Sequence, residues 1–551
     1  MLGEGLCLLD DLGWVPVVVG GTVREVPLRE ALLEAHAFEA LSVELPTMAP
    51  AVLRQVLLPV VLDALGPLDA GQWAELMAAG AFTPGQREAI GRYLDKRRDR
   101  FRVFDEEAPF GQVAGLAHPG GAVKPVSVLM PHVATGNNTP LRDGRSTADP
   151  VPLPVGAAVR WMLHTQCWDT AAIKTGAVGD PAVKAGKTSG NHTGLLGRLG
   201  VVTLLGRTLF ETIVLNLPQG ERASGDVPQW DRVPQQPAWT VRAADGVLDL
   251  FTWQGRRIRL IPEETPDGVR VKWVVLSAGD RLAALPEDEP HTCWTLKEDK
   301  AKGSLRYPRR HLPGRAGWRG LEALLTIERN TAGFETSRLL MQTATASLMG
   351  DLPPDYPLRV ATCGTVYGNK DSIVADVLAD ELPLPVAALR ADLTVRESVV
   401  RVCEQAETLA RALDRLVAHL ARAVGGEPVP PGKGQPPGTK LLYVLDPLVR
   451  RFLAGCQRNP DPGELDRAHR AFEQMAERAT RAAADELLQR LPGSAFTGRT
   501  VEEKNGATKT TRIYRQADAE RIFHGTVRKT LTYLYPTEPV AVATVVEEST
   551  A

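Results

Sequence analysis

Residues 184–200, KAGKTSGNHTGLLGRLG, gather the groups in this chain best suited to meeting a charged polymer. Gly186, Gly190, Gly194, Gly197 and Gly200 let the backbone approach a partner closely, because glycine has no Cβ and tolerates positive φ. Lys187, Thr188, Ser189 and Asn191 add donors of the kind that hold phosphate and sugar oxygens. That is binding chemistry. A nucleotide-hydrolysing alternative exists, since Gly186-Lys187-Thr188 reproduces the end of the phosphate-loop pattern G-x-x-x-x-G-K-[ST]. The pattern's first glycine falls on Pro181, however, Gly179 comes too early, and no hydrophobic strand leads into the loop.

Other constellations are poorer. The six cysteines (Cys7, Cys167, Cys293, Cys363, Cys403, Cys456) are scattered with no C-x-x-C pair, which argues against a local zinc ribbon and a disulfide framework. None of the ten histidines forms H-E-x-x-H. His291 and Cys293 are two ligands of a site that needs about four, and EDEPHTCW reads more simply as a surface loop. Cys167 reads as a small buried hydrophobe. No G-x-S-x-G elbow occurs. No catalytic residue, metal or other cofactor is expected.

A second binding feature is ATCGTVYGNKDSIVADV (361–377). It reads as a strand, a tight turn at Tyr367–Lys370, and a helix from Asp371 or Ser372. Tyr367, Asn369 and Lys370 would stand at the tip, where an Asn–Lys pair can donate to base edges or wedge between base pairs. The plainer reading is an Asn-bearing turn with an exposed lysine. Arg270 and Lys272 share one face of a strand pattern, either a basic finger or a wet strand face. GNNTPLRDGR (136–145) is a DNA-contacting loop or a solvated one. In the last helical region Lys504, Lys509, Arg512, Arg515, Arg521, Arg528 and Lys529 could follow a phosphate backbone or simply coat a bundle.

These residues need a frame. At 551 residues the chain exceeds one core, which stops growing near ~250–300 residues. Two strands fall in residues 1–20. Helical patterns follow at 28–40, 48–65, 71–80 and 84–98, and strands at 247–260 and 269–277. From 384 the pattern becomes four amphipathic helices, at 384–424, 440–457, 463–491 and roughly 512–535. The expected fold is a large mixed α/β (α+β) N-terminal domain, 1–380, followed by a C-terminal four-helix bundle, 384–540. A net charge of −2, from 64 basic and 66 acidic residues, means that any polyanion contact is local or shared with partners. Aromatics at 5% disfavour an extended base-stacking platform. The N-terminus lacks a basic n-region, and no uninterrupted apolar run reaches ~18 residues. A cytoplasmic chain with no membrane partner is expected.

Taken in order, LLDDLGWVPV, APFGQV at 108–113, the glycine loop with LLGRTLFETIVLNLP, QPAWT at 236–240 and YGNKDSI at 367–373 resemble the large subunit of the type I-E CRISPR Cascade complex, the CasA family. The resemblance covers nearly the whole chain. It implies a non-catalytic subunit of a crRNA-guided antiviral complex that recognises the protospacer-adjacent motif (PAM) in double-stranded DNA, largely from the minor-groove side. Such a subunit wedges the duplex open to start R-loop formation, helps hold the non-target strand and docks the helicase-nuclease. Implied partners are the other Cascade subunits, the crRNA, target DNA and that nuclease.

By the same resemblance, the PAM loop falls on Gly186, Lys187, Thr188, Ser189 and Gly190. The wedge falls on Asn369 and Lys370, and the basic finger on Arg270 or Lys272. The N-terminal-domain loop falls on Asn137 and Asn138. Among the basic residues of the last helical region, Arg512 and Arg515 are the candidates for holding the non-target strand. The chain departs from some relatives in placing Lys370 where they carry glutamine; lysine cannot accept a hydrogen bond. It also lacks the cysteine cluster of some relatives, so no metal is assigned. A purely structural scaffold subunit is the remaining rival.

Overall fold

The computed structural model describes residues 5–133, 151–287, 289–299, 303–326, 333–389, 393–428, 434–505 and 508–536. Two compact units result, Met1–Arg390 and Ala391–Ala551. The division falls later than residue 380 because the strand Ile373–Pro383 and the buried turn Val386–Leu389 belong to the first unit.

The core of the first unit is built around two helices. Met48–Leu65 is long and apolar enough to cross a membrane, with mean hydropathy 1.6, yet 78% of it is buried inside the unit as a core helix. Its turn at Leu53–Leu57 widens to π geometry one residue ahead of Pro59, which has no N–H to continue the α-helical ladder. This turn buries Arg54 and Gln55. Arg54 forms a two-pronged pair with Glu289, at 2.5 and 3.0 Å, and lies 2.8 Å from His291 Nδ1. Residues 289–294 of EDEPHTCW are therefore buried rather than on a surface loop: His291 is fully buried where Glu289 pairs with Arg54. The second core helix, Val155–Trp168, is buried at every residue except Ala157.

Most of the motifs that run in family order serve this core. Trp14 Nε1 donates to the Leu8 carbonyl at 3.0 Å. Asn216 Nδ2 donates to the Leu204 carbonyl at 2.6 Å. In APFGQV, Gln112 accepts from the Leu260 N–H at 2.7 Å and Val113 N–H donates to Ile258 O at 2.9 Å, stitching that segment to a long hairpin.

That hairpin, Arg256–Thr265 with Gly268–Ala278, is one of three antiparallel hairpins in the first unit that carry candidate residues. Its first strand starts later than residue 247, because Val247–Phe251 is a short helix. The Asp226 carboxylate accepts from the N–H groups of Leu248 and Asp249 at 3.0 and 2.9 Å, an N-terminal cap supplied from far along the chain.

The second hairpin pairs Lys174–Thr175 with Lys187–Thr188. The third pairs Arg359–Gly368 with Ile373–Pro383, and its first strand also pairs with Val201–Leu205. Residues from 373 onward are thus a strand, not the expected helix. The apolar spacing of DSIVADV suits either form, and the ladder from Arg359↔Pro383 to Gly368↔Ile373 decides it.

In the second unit, the helix Leu393–Ala423 packs against Pro437–Arg458, Pro462–Leu488 and Gln516–Thr530. This is the expected bundle, with two corrections: its first helix begins at Leu393 rather than 384, because Val386–Leu389 belongs to the first unit, and a hairpin precedes its last helix. Arg499–Asn505 and Thr508–Tyr514 form a β-hairpin, so the last helix starts after residue 512. The Asn505-Gly506 pair, with Thr500 and Val501 before it and Thr508, Thr510, Thr511 and Ile513 after it, carries that signal in the sequence.

Candidate nucleic-acid interface

The glycine segment 174–191 is a small hairpin with a shaped tip. Lys184 and Lys187 exchange backbone hydrogen bonds at 2.9 and 3.0 Å, and the two residues between them, Ala185 and Gly186, have φ of 49° and 72°. Two left-handed residues in a two-residue loop are what the twist of an antiparallel pair favours. Gly186, Lys187, Ser189 and Gly190 are exposed. Thr188 is turned inward, with Oγ1 3.4 Å from Asp180 Oδ2. Asp180 Oδ2 also accepts from Nε1 of Trp239, the tryptophan of QPAWT, at 3.2 Å. Arg281 lies 3.9 Å over the Trp239 ring and donates to the Ser189 carbonyl at 2.6 Å. Gly186-Lys187-Thr188 therefore sits on a hairpin strand with its hydroxyl committed to a buried carboxylate. A phosphate loop needs a strand–loop–helix junction with that hydroxyl free, so the geometry opposes the nucleotide-hydrolysing reading.

The tip of the third hairpin is more unusual. Asn369, Lys370 and Asp371 have φ of 47°, 56° and 59°, three successive non-glycine residues in the left-handed region. Asn and Asp tolerate this conformation, whereas lysine is held there at a cost of roughly 1–2 kcal/mol. Ser372 restrains the turn: its N–H donates to Gly368 O at 3.1 Å and its hydroxyl to Asn369 O at 2.7 Å. Asn369 and Lys370 project into solvent. Strained backbone that its surroundings over-determine tends to mark binding sites and clamps. Tyr367, expected at the tip, is instead packed below it. Its hydroxyl donates to Trp168 O at 2.7 Å, and a Cβ at Gly197 would overlap its ring. Gly197 thus serves close packing rather than an open loop.

One short segment, 168–173, after the second core helix, holds both tips. Ala171 N–H donates to Asp371 O at 2.7 Å, and Gly194 N–H to Asp169 O at 2.8 Å. Asn191 Nδ2 donates to Ala172 O at 3.1 Å and to Thr188 O at 3.0 Å. Arg256, at the foot of the long hairpin, donates to Thr170 O at 2.9 Å and His192 O at 2.7 Å, and pairs with the Asp169 carboxylate. Lys174 pairs with the same carboxylate at 2.7 Å. Burial alone would raise Asp169, but Lys174 and Arg256 outweigh it and hold the carboxyl at about 2. Burial pushes the Lys174 ammonium down to about 8 against the pull of Asp169. Sequence reasoning missed Asp169 and Arg256 as organisers, and assigned Asn191 outward as a donor. Their partners lie up to 87 positions away, with no local signature.

Arg270 and Lys272 share one half-exposed face of the long hairpin. Arg270 is 3.7 Å from Asp267, and the Lys272 ammonium is 5.8 Å from the Trp273 ring. The glycine hairpin meets the opposite end of the same strand, where Ser277 Oγ donates to Thr175 O at 2.9 Å. Seven residues of strand separate Ser277 from Arg270, about 23 Å, so the basic pair is not brought to the glycine tip's foot. Asn137 and Asn138 lie outside the described residues. The short strands Lys124–Pro125 and Leu153–Pro154, before and after that stretch, both pair with Gly268–Ala278.

In the second unit, Arg512 and Arg515 are exposed, but neither is on a helix interior. Arg512 lies on the hairpin strand Thr508–Tyr514, 5.2 Å from the Tyr514 ring, and Arg515 is the N-cap residue of the last helix. Among the described residues no three His, Cys, Asp or Glu side chains gather as a metal site.

Residues 8–485 match the family described as CRISPR-associated protein Cse1. A CRISPR-associated protein CasA/Cse1 from Thermus thermophilus is 31% identical over 456 residues, which span 81% of this chain and 84% of that protein. The crystal structure of Thermobifida fusca Cse1 superposes with a TM-score of 0.80 at 28% identity, covering 96% of this chain and 99% of the other. A chain of a CRISPR RNA-guided surveillance complex shares the fold with a TM-score of 0.64 at 18% identity, covering 88% of this chain and 99% of the other.

Proposed function

The chain belongs to the CRISPR-associated Cse1 family, and from that premise we propose that it is the non-catalytic large subunit of a crRNA-guided surveillance complex. It reads a short PAM in double-stranded DNA and opens the duplex beside it. The observation that carries this reading is the turn Asn369–Lys370–Asp371: three left-handed residues, exposed at the end of a long hairpin and tied to the segment that anchors the glycine hairpin.

The physical division of labour is simple. Guide pairing tests sequence identity, so the protein needs only a short-motif reader and a means of disturbing the first base pairs. The minor groove offers a degenerate code, which suits the exposed backbone and side chains of Gly186, Lys187, Ser189 and Gly190. Thr188 acts from inside, fixing the hairpin to Asp180. Asn369 and Lys370 form the wedge: their side chains are of the polar and cationic kinds that enter the minor groove, and the strained turn behind them presses on the first base pairs. With no acceptor on its ammonium, Lys370 acts by displacement and by attraction to phosphate rather than by replacing both faces of a base pair. Arg270 or Lys272 contacts the backbone of the flanking duplex. Arg512 and Arg515 hold the displaced strand by charge. The other subunits supply the guide channel, which accounts for the near-neutral net charge of −2. The helicase-nuclease docks on the assembled complex.

Reconstitution with and without this chain tests the reading. The complete complex locates PAM-bearing duplexes and makes thymines beside the motif reactive to permanganate. Equal location and opening by the complex lacking this chain would reduce it to a scaffold or less.

A further inference from the structure

The contacts behind the two exposed tips carry a consequence for how they work together. The glycine hairpin keeps its shape through its own ladder, Lys174↔Thr188 and Thr175↔Lys187, and through Arg281 on Ser189 and Asp180 on Thr188. Its position relative to the Asn369–Asp371 turn depends on different bonds. The Asn191 carboxamide, 7% exposed, spans from the Thr188 carbonyl to the Ala172 carbonyl. The adjacent Ala171 N–H then reaches the Asp371 carbonyl. From the end of one tip to the other, the path is one side chain with its two hydrogen bonds, the backbone of Ala172 and Ala171, and one backbone hydrogen bond. Arg256, 4% exposed, runs a parallel strut: one guanidinium nitrogen serves both Thr170 O and His192 O, while the Asp169 carboxylate fixes the fork.

We propose that Asn191 and Arg256 are positioning residues that make the glycine hairpin and the Asn369–Asp371 turn one rigid reader, so that seating the hairpin on its motif sets how far the turn enters the duplex. The inference rests on the function proposed above. Both side chains are buried, so neither acts by touching DNA; their effect is on relative placement alone. Binding needs only the hairpin's own shape. Opening needs the turn in register with it, and a misplacement of about 1 Å can cost a positioned group ~100-fold. A planar guanidinium can bridge two carbonyls and a carboxylate at once, whereas an ammonium in its place keeps the charge and loses the fork.

The test compares the complete complex carrying Asn191→Ala, or Arg256→Lys, with the unaltered one. Arg256→Lys retains a cation beside Asp169, so one variant keeps its fold even if Asn191→Ala does not, and the thermal midpoint reports which. Two quantities are read: Kd for a PAM-bearing duplex that does not match the guide, and the rate at which thymines beside the PAM become permanganate-reactive in a matching duplex. The expected result is a Kd within ~3-fold of the unaltered complex and opening slowed ~10-fold or more. Binding and opening that fall by the same factor, or opening unchanged in the folded variants, would overturn the coupling. If Asn191→Ala opens DNA normally while Asn369→Ala stalls, only the coupling fails. If Asn369→Ala also opens DNA normally, the reading of the turn fails and takes this inference with it.

Discussion

Tyr367 and Trp168, 199 positions apart, are joined where the phenolic hydroxyl of the first donates to the backbone carbonyl of the second at 2.7 Å. That bond secures the hairpin bearing the Asn369–Asp371 turn at the end of a core helix. It makes the strained tip an extension of the core rather than a loose loop.

Removing that hydroxyl leaves the Trp168 carbonyl without its donor. Tyr367→Phe is expected to lower stability by about 1–2 kcal/mol, read as a shift in denaturant midpoint at unchanged slope. Gly197→Ala is expected to cost more, since its methyl would overlap the Tyr367 ring.

Lys370 separates stability from function. Its φ of 56° suits glycine better than lysine. Lys370→Gly is therefore expected to raise stability by roughly 1 kcal/mol while weakening duplex opening. A calorimetric midpoint and an opening assay on one preparation check both signs; lower stability would show that lysine is unstrained there.

Acid should destabilise the first unit in two stages. His164, buried with Nε2 2.9 Å from Thr47 Oγ1, is held at about 3 by that burial. The unfolded chain takes up its proton near pH ~6.5, so stability falls as pH drops below that value, with a slope approaching ~1.4 kcal/mol per pH unit. Asp169, at about 2 in the fold against ~3.9 unfolded, contributes stability above pH ~4 that is lost as pH falls toward 2. His164→Gln is expected to flatten the decline between pH 6 and 4, and Asp169→Asn only the part below 4. Chemical denaturation across this range measures both.

Charge reversal at Arg512 and Arg515 is expected to shorten the lifetime of the opened strand more than it weakens initial PAM binding. Permanganate footprints over time, beside Kd for an unmatched duplex, separate the two. Equal loss in both would remove these arginines from the displaced strand.

Much of this architecture was legible in the sequence, and what was missed has physical reasons. The helical pattern at 84–98 forms as Pro84–Lys96, opened by a capping box between Thr83 and Gln86. The bundle's apolar stripes predict its four helices, because a helix declares its buried face locally. The strand at 373 was hidden: Ile373, Val374 and Val377 favour strand, but Ser372 mimics a helix cap and only pairing with Arg359–Gly368 arbitrates. The exposed turns themselves, at Gly186 and at Asn369–Lys370, were readable from glycine and asparagine. Their supports were not. Asn191, Asp169 and Arg256 act through partners elsewhere in the chain, and polar side chains that hold carbonyls look like any other polar residue.

The most direct test of the central claim uses the complete complex with Asn369→Ala and Lys370→Ala, each confirmed to assemble, on a PAM-bearing, guide-matched duplex. Thymines beside the motif are expected to stay protected from permanganate in both variants, with weakened DNA binding, while the unaltered complex makes them reactive. Normal binding and full reactivity in both would contradict the claim that this turn opens the duplex.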